Sequence, residues 1–198
     1  RIDGNNATIK AAAGFVGDTL TNTDAGGTTV VEALLLFLLG DYNNTGGPQR
    51  KNAFVGAGLT LNCNEVSNSG IYMERMVYAT VQCKVINTTA GGNAIDIGPY
   101  CWGLHLDGIT VENFSENAVR IGIGCNGVTI TSPRIWGDTK TGVSGILLGV
   151  VSNINGLVIN GGFIEKLDYG LYISRGNGPV SINGTNFEVC GTNCIRVE

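Results

Sequence analysis

The side chains with the clearest chemical potential are Tyr72, Asp96 and Arg120, which follow one another at intervals of 24 residues, and Glu74 beside the first of them. If segments of this length stack as parallel strands, the three form one column, and Glu74 lies one strand below Asp96. One strand spacing combined with two residues along a strand is roughly 8 Å. Carboxyl groups roughly 6.5–9.5 Å apart carry out inverting glycoside hydrolysis. Glu74 and Asp96 are therefore the candidate catalytic pair.

Three side chains of the same column are candidates for ligand binding. Tyr72 and Tyr172 offer aromatic rings of the kind that stack on a sugar face. Arg120 would either hold a sugar carboxylate or lower the pKa of Asp96. The alternative is an ordinary solvated sheet surface, on which an Asp–Arg pair contributes well under about 1 kcal/mol.

A second place for a groove is the group of loops that lengthen the repeats. Trp102, Trp136, Asp138 and Lys140 lie in or near these loops. The two tryptophans have another interpretation, as core residues or subunit contacts.

The candidate residues belong to a sequence repeat. A small residue followed by alternating apolar positions recurs at steps of 24, 24, 27, 25 and 24 residues, in the segments 69–73, 93–98, 117–122, 144–149, 169–173 and 193–197. Alternation with a period of two is typical of a strand rather than a helix. A fixed period of this size predicts a solenoid, in which each coil stacks on the coil before it.

The alternation gives each repeat an inward and an outward face. The inward positions are all apolar and are predicted to form interior columns: Ile71 and Met73, Ile95 and Ile97, Val119 and Ile121, Ile146 and Leu148, Leu171 and Ile173, Ile195 and Val197. The positions between them are mostly polar, so this face is predicted to be solvated. Breaks at 107–108, 132–133, 161–162 and 183–184 mark bends between strands. Three strands per turn follow from this spacing.

The N-terminal part is less regular. Residues 7–10 and 18–20 are predicted as the first two strands of an early turn. Segment 28–40 breaks the alternation and is either a strand buried on both faces or a short helix. Its apolar run, 33–39, would need cover from a neighbouring subunit or from another part of the chain. Residues 41–52 are predicted to form a polar loop.

Composition limits the class of protein. The 198 residues include 31 Gly and 43 % hydrophobic but only 14 % charged residues. Many short strands joined by turns are favoured over disorder. The net charge of −4 and the lack of a basic cluster argue against a nucleic-acid partner, and no apolar run is long enough to insert into a membrane. A single domain over residues 1–198, belonging to a longer chain, is predicted.

The cysteines leave two interpretations open. Cys101 and Cys125 are one period apart and either fill the core as reduced thiols or form a bridge. The same choice applies to Cys190 and Cys194. With one His and no Cys-x-x-Cys pair, neither a metal site nor a cofactor is predicted.

Two polar features are also ambiguous. Asn93, Asn117 and Asn193 recur just before strands, and they either form a hydrogen-bonded ladder or are simply favoured in turns. His105 alternates with apolar residues and so faces outward, but no Ser or Asp motif accompanies it as a catalytic partner.

Two stretches resemble the pectate-lyase-like right-handed β-helices. Gly4-Asn5-Asn6-Ala7-Thr8-Ile9-Lys10 with Asp18-Thr19-Leu20 is similar to the opening rung of that family. Gly58-Leu59-Thr60-Leu61-Asn62-Cys63-Asn64 is similar to its next rung, with Cys63 in place of a small Gly. Within the family, the sequence is most similar to bacteriophage tailspike and tail-fibre proteins.

The expected fold is an all-β, single-stranded right-handed parallel β-helix of about 7–8 rungs of 24–27 residues. The resemblance implies a homotrimer, on a virion tail or outside the cell, that recognises a bacterial surface polysaccharide and in some cases depolymerises it. The alternatives are a glycan-degrading hydrolase or lyase, and a purely structural virion β-helix without a ligand. The cluster of Asp on adjacent rungs that is usual in calcium-dependent lyases is not evident.

Overall fold

The computed structural model describes residues 6–12, 18–22, 27–31, 33–37, 53–138, 142–149, 154–174 and 176–198. These residues form strands and no helix, so none of the described segments is a helix able to cross a membrane. The strands are Thr8–Lys10 (β1), Asp18–Asn22 (β2), Gly27–Val31 (β3), Ala33–Phe37 (β4), Phe54–Asn62 (β5), Ser69–Met73 (β6), Thr80–Ile86 (β7), Asn93–Ile97 (β8), His105–Asp107 (β9), Thr110–Glu112 (β10), Asn117–Ile121 (β11), Asn126–Thr131 (β12), Arg134–Trp136 (β13), Ser144–Leu148 (β14), Asn155–Asn160 (β15), Phe163–Ile173 (β16), Val180–Asn183 (β17) and Asn186–Val197 (β18). The predicted loop at 41–52 lies outside the described residues.

The strands coil into a parallel β-helix of about six turns. Its first sheet is a column made of β4, β6, β8, β11, β14 and the C-terminal halves of β16 and β18, joined by six parallel pairings. The predicted fold class is confirmed. The rungs are slightly fewer than predicted because part of the N-terminal region does not join the coil.

Three strands form each turn, as the internal breaks predicted. The second sheet contains β9, β12, β15, β17 and the start of β7. The third contains β1, β10, β13, the C-terminal parts of β5 and β7, and the N-terminal parts of β16 and β18. The bend between the second and third sheets has positive φ, between 48° and 65°, at Gly108, Ser132, Gly161 and Gly184.

The predicted interior column of the first sheet is continuous. Its members are register partners from turn to turn: Leu35, Ile71, Ile95, Val119, Ile146, Leu171 and Ile195. The five from Ile71 to Leu171 are fully buried, and burial of such a side chain contributes about 1.5–3 kcal/mol. Ile195 is 45 % exposed because β18 pairs only with β16 among the described strands.

Part of the predicted asparagine ladder is present at the start of the first sheet. Asn117 Nδ2 donates to Asn93 Oδ1 at 2.7 Å. Asn193 does not extend this ladder, because its register partner is Tyr169.

A second ladder, which was not predicted, follows the third sheet. Asn87 Nδ2 donates to Asn62 Oδ1 at 3.0 Å, and Asn113 Nδ2 donates to Asn87 Oδ1 at 2.7 Å. Asn87 and Asn113 have φ of 59° and 48°, a conformation that Asn tolerates better than most residues. These side chains hydrogen-bond one turn to the next where the chain leaves the sheet.

The N-terminal region departs from the prediction. Strands β2 and β3 pair with each other in antiparallel fashion, so residues 18–20 belong to a hairpin and not to a turn of the coil. The four residues between the two strands are too few for the crossover that parallel pairing requires. β4 is a strand rather than a short helix, and Leu34 and Leu35 pack partly buried against the core.

All six cysteines are free thiols. Cys101 and Cys125 are buried on adjacent turns, where their Sγ atoms donate to Met73 O at 3.6 Å and to Gly98 O at 3.2 Å. The interpretation as reduced core thiols therefore describes this pair.

Candidate functional site

The structure brings the predicted catalytic and binding side chains of the first sheet into two hydrogen-bonded pairs. Tyr72, Asp96 and Arg120 are register partners on β6, β8 and β11. Tyr72 Oη donates to Glu74 Oε2 at 3.0 Å. Arg120 donates to Asp96 from Nε at 2.8 Å and from Nη2 at 2.9 Å, and Asn93 Nδ2 donates to the same carboxylate at 3.2 Å.

These side chains are not solvated as predicted. Tyr72, Glu74 and Asp96 are only 6 %, 2 % and 7 % exposed. Burial raises the pKa of Asp96, and the opposing effects of Arg120 and Asn93 do not reverse this. Burial, together with the neighbouring Glu74, also raises the pKa of the Tyr72 hydroxyl. The column is therefore an internal polar cluster, and the catalytic role of Glu74 and Asp96 stays a prediction.

Tyr172 lies in the same column, two turns beyond Arg120. It is partly exposed, and its Oη donates to Glu198 Oε2 at 2.5 Å. The Arg196 guanidinium lies 5.1 Å from the ring centres of both Tyr169 and Tyr172. Tyr172 is therefore separate from the buried cluster, and its predicted role in ligand binding also stays a prediction.

A groove of about 620 Å³ runs over the outward face of the third sheet. It is lined by Lys84, Thr110, Glu112, Arg134, Ile135, Trp136, Phe163 and Glu165. A space of about 440 Å³ shares Lys84 and Thr110 with it, and another of about 260 Å³ shares Glu112 and Trp136. We call this set of adjoining spaces the third-sheet groove.

Strand alternation positions the groove side chains. The inward residues of the third sheet fill the core, at most 1 % exposed: Leu61, Val85, Val111, Ile135 and Ile164. The outward residues between them form two columns across the turns, namely Lys84, Thr110, Arg134 and Phe163 in the first, and Ile86, Glu112, Trp136 and Glu165 in the second.

Two large aromatic side chains in the groove face solvent. Trp136 is 42 % exposed and Phe163 is 54 % exposed. The ammonium of Lys166 lies 4.0 Å from the centre of the Trp136 ring, a cation–π contact. Lys84 Nζ pairs with Glu112 Oε2 at 2.6 Å. Rings, carboxylates and cations thus share one elongated surface.

The second place proposed for a groove coincides in part with this surface. Trp136 and Asp138 line it, whereas Lys140 lies outside the described residues. Trp102 is 43 % exposed at a different corner, where its Nε1 donates to Gly124 O at 3.2 Å. Neither tryptophan is a core residue. His105 faces outward as predicted, with Nε2 3.1 Å from Thr131 Oγ1.

Among the described side chains, no group of three or more His, Cys, Asp or Glu is placed to hold a metal ion. No family model, curated protein or solved structure gives a significant match to this chain. The fold and the site define the class, which is a parallel β-helix with an aromatic and charged groove along one sheet.

Proposed function

We propose that this chain is a carbohydrate-binding β-helix of the bacteriophage tailspike or tail-fibre type, and that it binds a bacterial surface polysaccharide in the third-sheet groove. The exposed rings of Trp136 and Phe163 beside the carboxylates of Glu112 and Glu165 carry this proposal. A sugar ring packs its apolar face on an aromatic side chain, and its hydroxyls donate hydrogen bonds to carboxylates. An elongated groove suits a linear chain of such rings.

The assembly and the location of the protein are part of the same proposal. The resemblance to tailspike proteins favours a homotrimer, on a virion tail or outside the cell. The apolar run at 33–39 supports it, because such a run requires cover. A single-chain mass by light scattering, with the protein soluble and able to bind glycan, contradicts the trimer.

Binding is tested by titrating a panel of purified capsular and O-antigen polysaccharides in a calorimeter. For the member that binds, Trp136→Ala is expected to weaken affinity about tenfold, because one aromatic contact of about 0.5–1.5 kcal/mol is lost. Trp102→Ala is the matched control, because Trp102 is equally exposed and lies outside the groove. Equal affinities for Trp136→Ala and the unaltered protein would exclude this groove as the binding site.

Fluorescence gives an independent test. The chain has two tryptophans, so Trp102→Phe leaves Trp136 as the only indole. Titration of this variant with the bound polysaccharide is expected to shift the emission of Trp136 with the same affinity as in the calorimeter. Unchanged emission at saturation places the ligand elsewhere.

A glycan-degrading hydrolase or lyase is the second candidate. Glu112 and Glu165 occupy one column on either side of Trp136, two strand spacings or roughly 10 Å apart at the backbone. Side chains of this length can bring the two carboxyls within the range of an inverting pair. Released reducing ends or unsaturated sugars that disappear in Glu165→Gln favour this candidate, and those that disappear in Asp96→Asn favour the first-sheet pair. Binding without release supports recognition alone, and neither supports a structural β-helix.

A further inference from the structure

We infer that the ligand of the third-sheet groove is an acidic polysaccharide, whose sugar carboxylates bind to Arg134 and Lys166 on either side of the ring stacked on Trp136. This inference rests on the proposed function and adds the chemical class of the ligand.

The charges in the groove are unequally satisfied. The Lys84–Glu112 pair neutralises itself at 2.6 Å. Among the described residues, Arg134 and Lys166 form no ion pair, and Glu165 is the carboxylate of the main groove without one. Asp138, at the edge of the groove, already interacts within the protein. Two unpaired cations therefore face one unpaired carboxylate, although the whole chain has a net charge of −4.

The two cations lie close to the aromatic ring. Arg134 precedes Trp136 by two residues on β13, so both side chains are outward and roughly 7 Å apart along the strand. Arg134 is exposed, and its guanidinium can donate two parallel hydrogen bonds to one carboxylate. Phe163, its register partner on the next turn, walls the same part of the groove.

Lys166 reaches the ring through an irregularity in its strand. Its φ is 57°, in the left-handed region, and the register of β16 shifts between Leu167 and Tyr169. A lysine in this conformation is strained relative to an extended one. The irregularity holds Nζ 4.0 Å from the centre of the Trp136 ring, next to the position that a stacked sugar would take.

The experiment uses the tightest-binding polysaccharide of the panel, in its native form and after chemical reduction of its carboxyl groups to alcohols. The inference predicts that this polysaccharide contains carboxylates and that their reduction weakens binding at least tenfold. Arg134→Gln and Lys166→Gln should each weaken binding of the native polymer about tenfold and leave binding of the reduced polymer unchanged. Arg196→Gln is the control for the same change of charge on the first sheet, and thermal unfolding shows whether each variant is folded.

The outcomes separate the two claims. A neutral best ligand, or equal binding of the native and reduced polymers, overturns the acidic class. So does unchanged binding by Arg134→Gln and Lys166→Gln. If Trp136→Ala still weakens binding in those cases, the proposed function stands without the acidic class. If Trp136→Ala has no effect either, the groove is not the binding site and both claims fail.

Discussion

Arg120 holds Asp96 with two hydrogen bonds, at 2.8 and 2.9 Å, between strands of adjacent turns. The carboxylate also accepts a hydrogen bond from Asn93 and is almost fully buried, whereas the Arg120 side chain is 36 % exposed. The pair therefore joins β8 to β11 from the outward side of the first sheet. Its removal tests whether this cluster is structural.

Arg120→Met is expected to destabilise the protein by about 1–3 kcal/mol at pH 7. The substitution keeps the length of the side chain but leaves a buried carboxylate without its cation. The partial exposure of Arg120 places the value below that of a fully buried pair. Urea unfolding followed by circular dichroism measures it, and an unchanged midpoint contradicts the structural role.

The same variant has a predicted pH dependence. The pKa of Asp96 is raised in the folded protein, so the stabilisation linked to its protonation is present below the unfolded pKa near 3.9 and lost as pH rises through the folded pKa. Removal of Arg120 raises the folded pKa further. The deficit of Arg120→Met relative to the unaltered protein should therefore shrink as pH falls from 7 towards 4. A deficit independent of pH would show that lost packing, not charge, is responsible.

The interior column predicts unequal effects of one substitution at equivalent positions. Ile95→Ala should lower the free energy of unfolding by about 2–5 kcal/mol, because Ile95 is fully buried between two turns. Ile195→Ala should lower it by less than about 1 kcal/mol, because Ile195 is half exposed on the last described strand. Chemical unfolding of the two variants side by side tests this. Equal losses contradict the stacked arrangement.

The second asparagine ladder is tested at its middle member. Asn87→Ala removes two side-chain hydrogen bonds and places a Cβ-bearing residue without a local partner at a φ of 59°. A loss of about 2–4 kcal/mol is expected. Asn87→Gly removes the same hydrogen bonds but tolerates this φ, so a loss of about 1–2 kcal/mol is expected. Thermal unfolding of both variants separates the two contributions, and no loss in Asn87→Gly means that the ladder adds nothing.

The cysteines should differ sharply in reactivity. Burial raises the pKa of Cys63 to about 12 and that of Cys83 to about 12, so almost no reactive thiolate exists at pH 7.5. Cys194 is exposed. N-ethylmaleimide is expected to modify Cys194 in the native protein, and Cys63 and Cys83 only in denaturant. Mass spectrometry of digested samples measures this, and rapid native labelling of Cys63 or Cys83 would contradict their burial.

The interior of the coil was predictable because identical requirements recur at a fixed spacing. Each turn needs an aliphatic side chain over the one below, so Ile71, Ile95 and Val119 predict one another's positions. The bends were predictable for a similar reason, since Gly and Ser mark the positive φ that recurs at Gly108 and Ser132. The hairpin of β2 and β3 was not predicted, because the antiparallel pairing of two short strands depends on the four residues that connect them.

The state of the outward face was harder to predict. Alternation sorts Tyr72 and Asp96 to that face, but it does not show whether the face is covered, and both are buried. The groove was found only in part, through Trp136 and Asp138. Its column was hidden because the step from Glu112 to Trp136 is 24 residues whereas the step from Trp136 to Glu165 is 29. A search for outward aromatic residues that allowed unequal turn lengths would have joined them.

The stack of parallel turns also determines how this surface can change in evolution or by design. Each coil touches only the coils directly above and below it. Duplication or excision of one complete coil, such as residues 93–116, therefore leaves the remaining contacts in place and alters the height of the molecule by one strand spacing, about 4.8 Å. The groove lengthens or shortens in fixed increments, so its capacity for ligand can be adjusted without redesigning the interior.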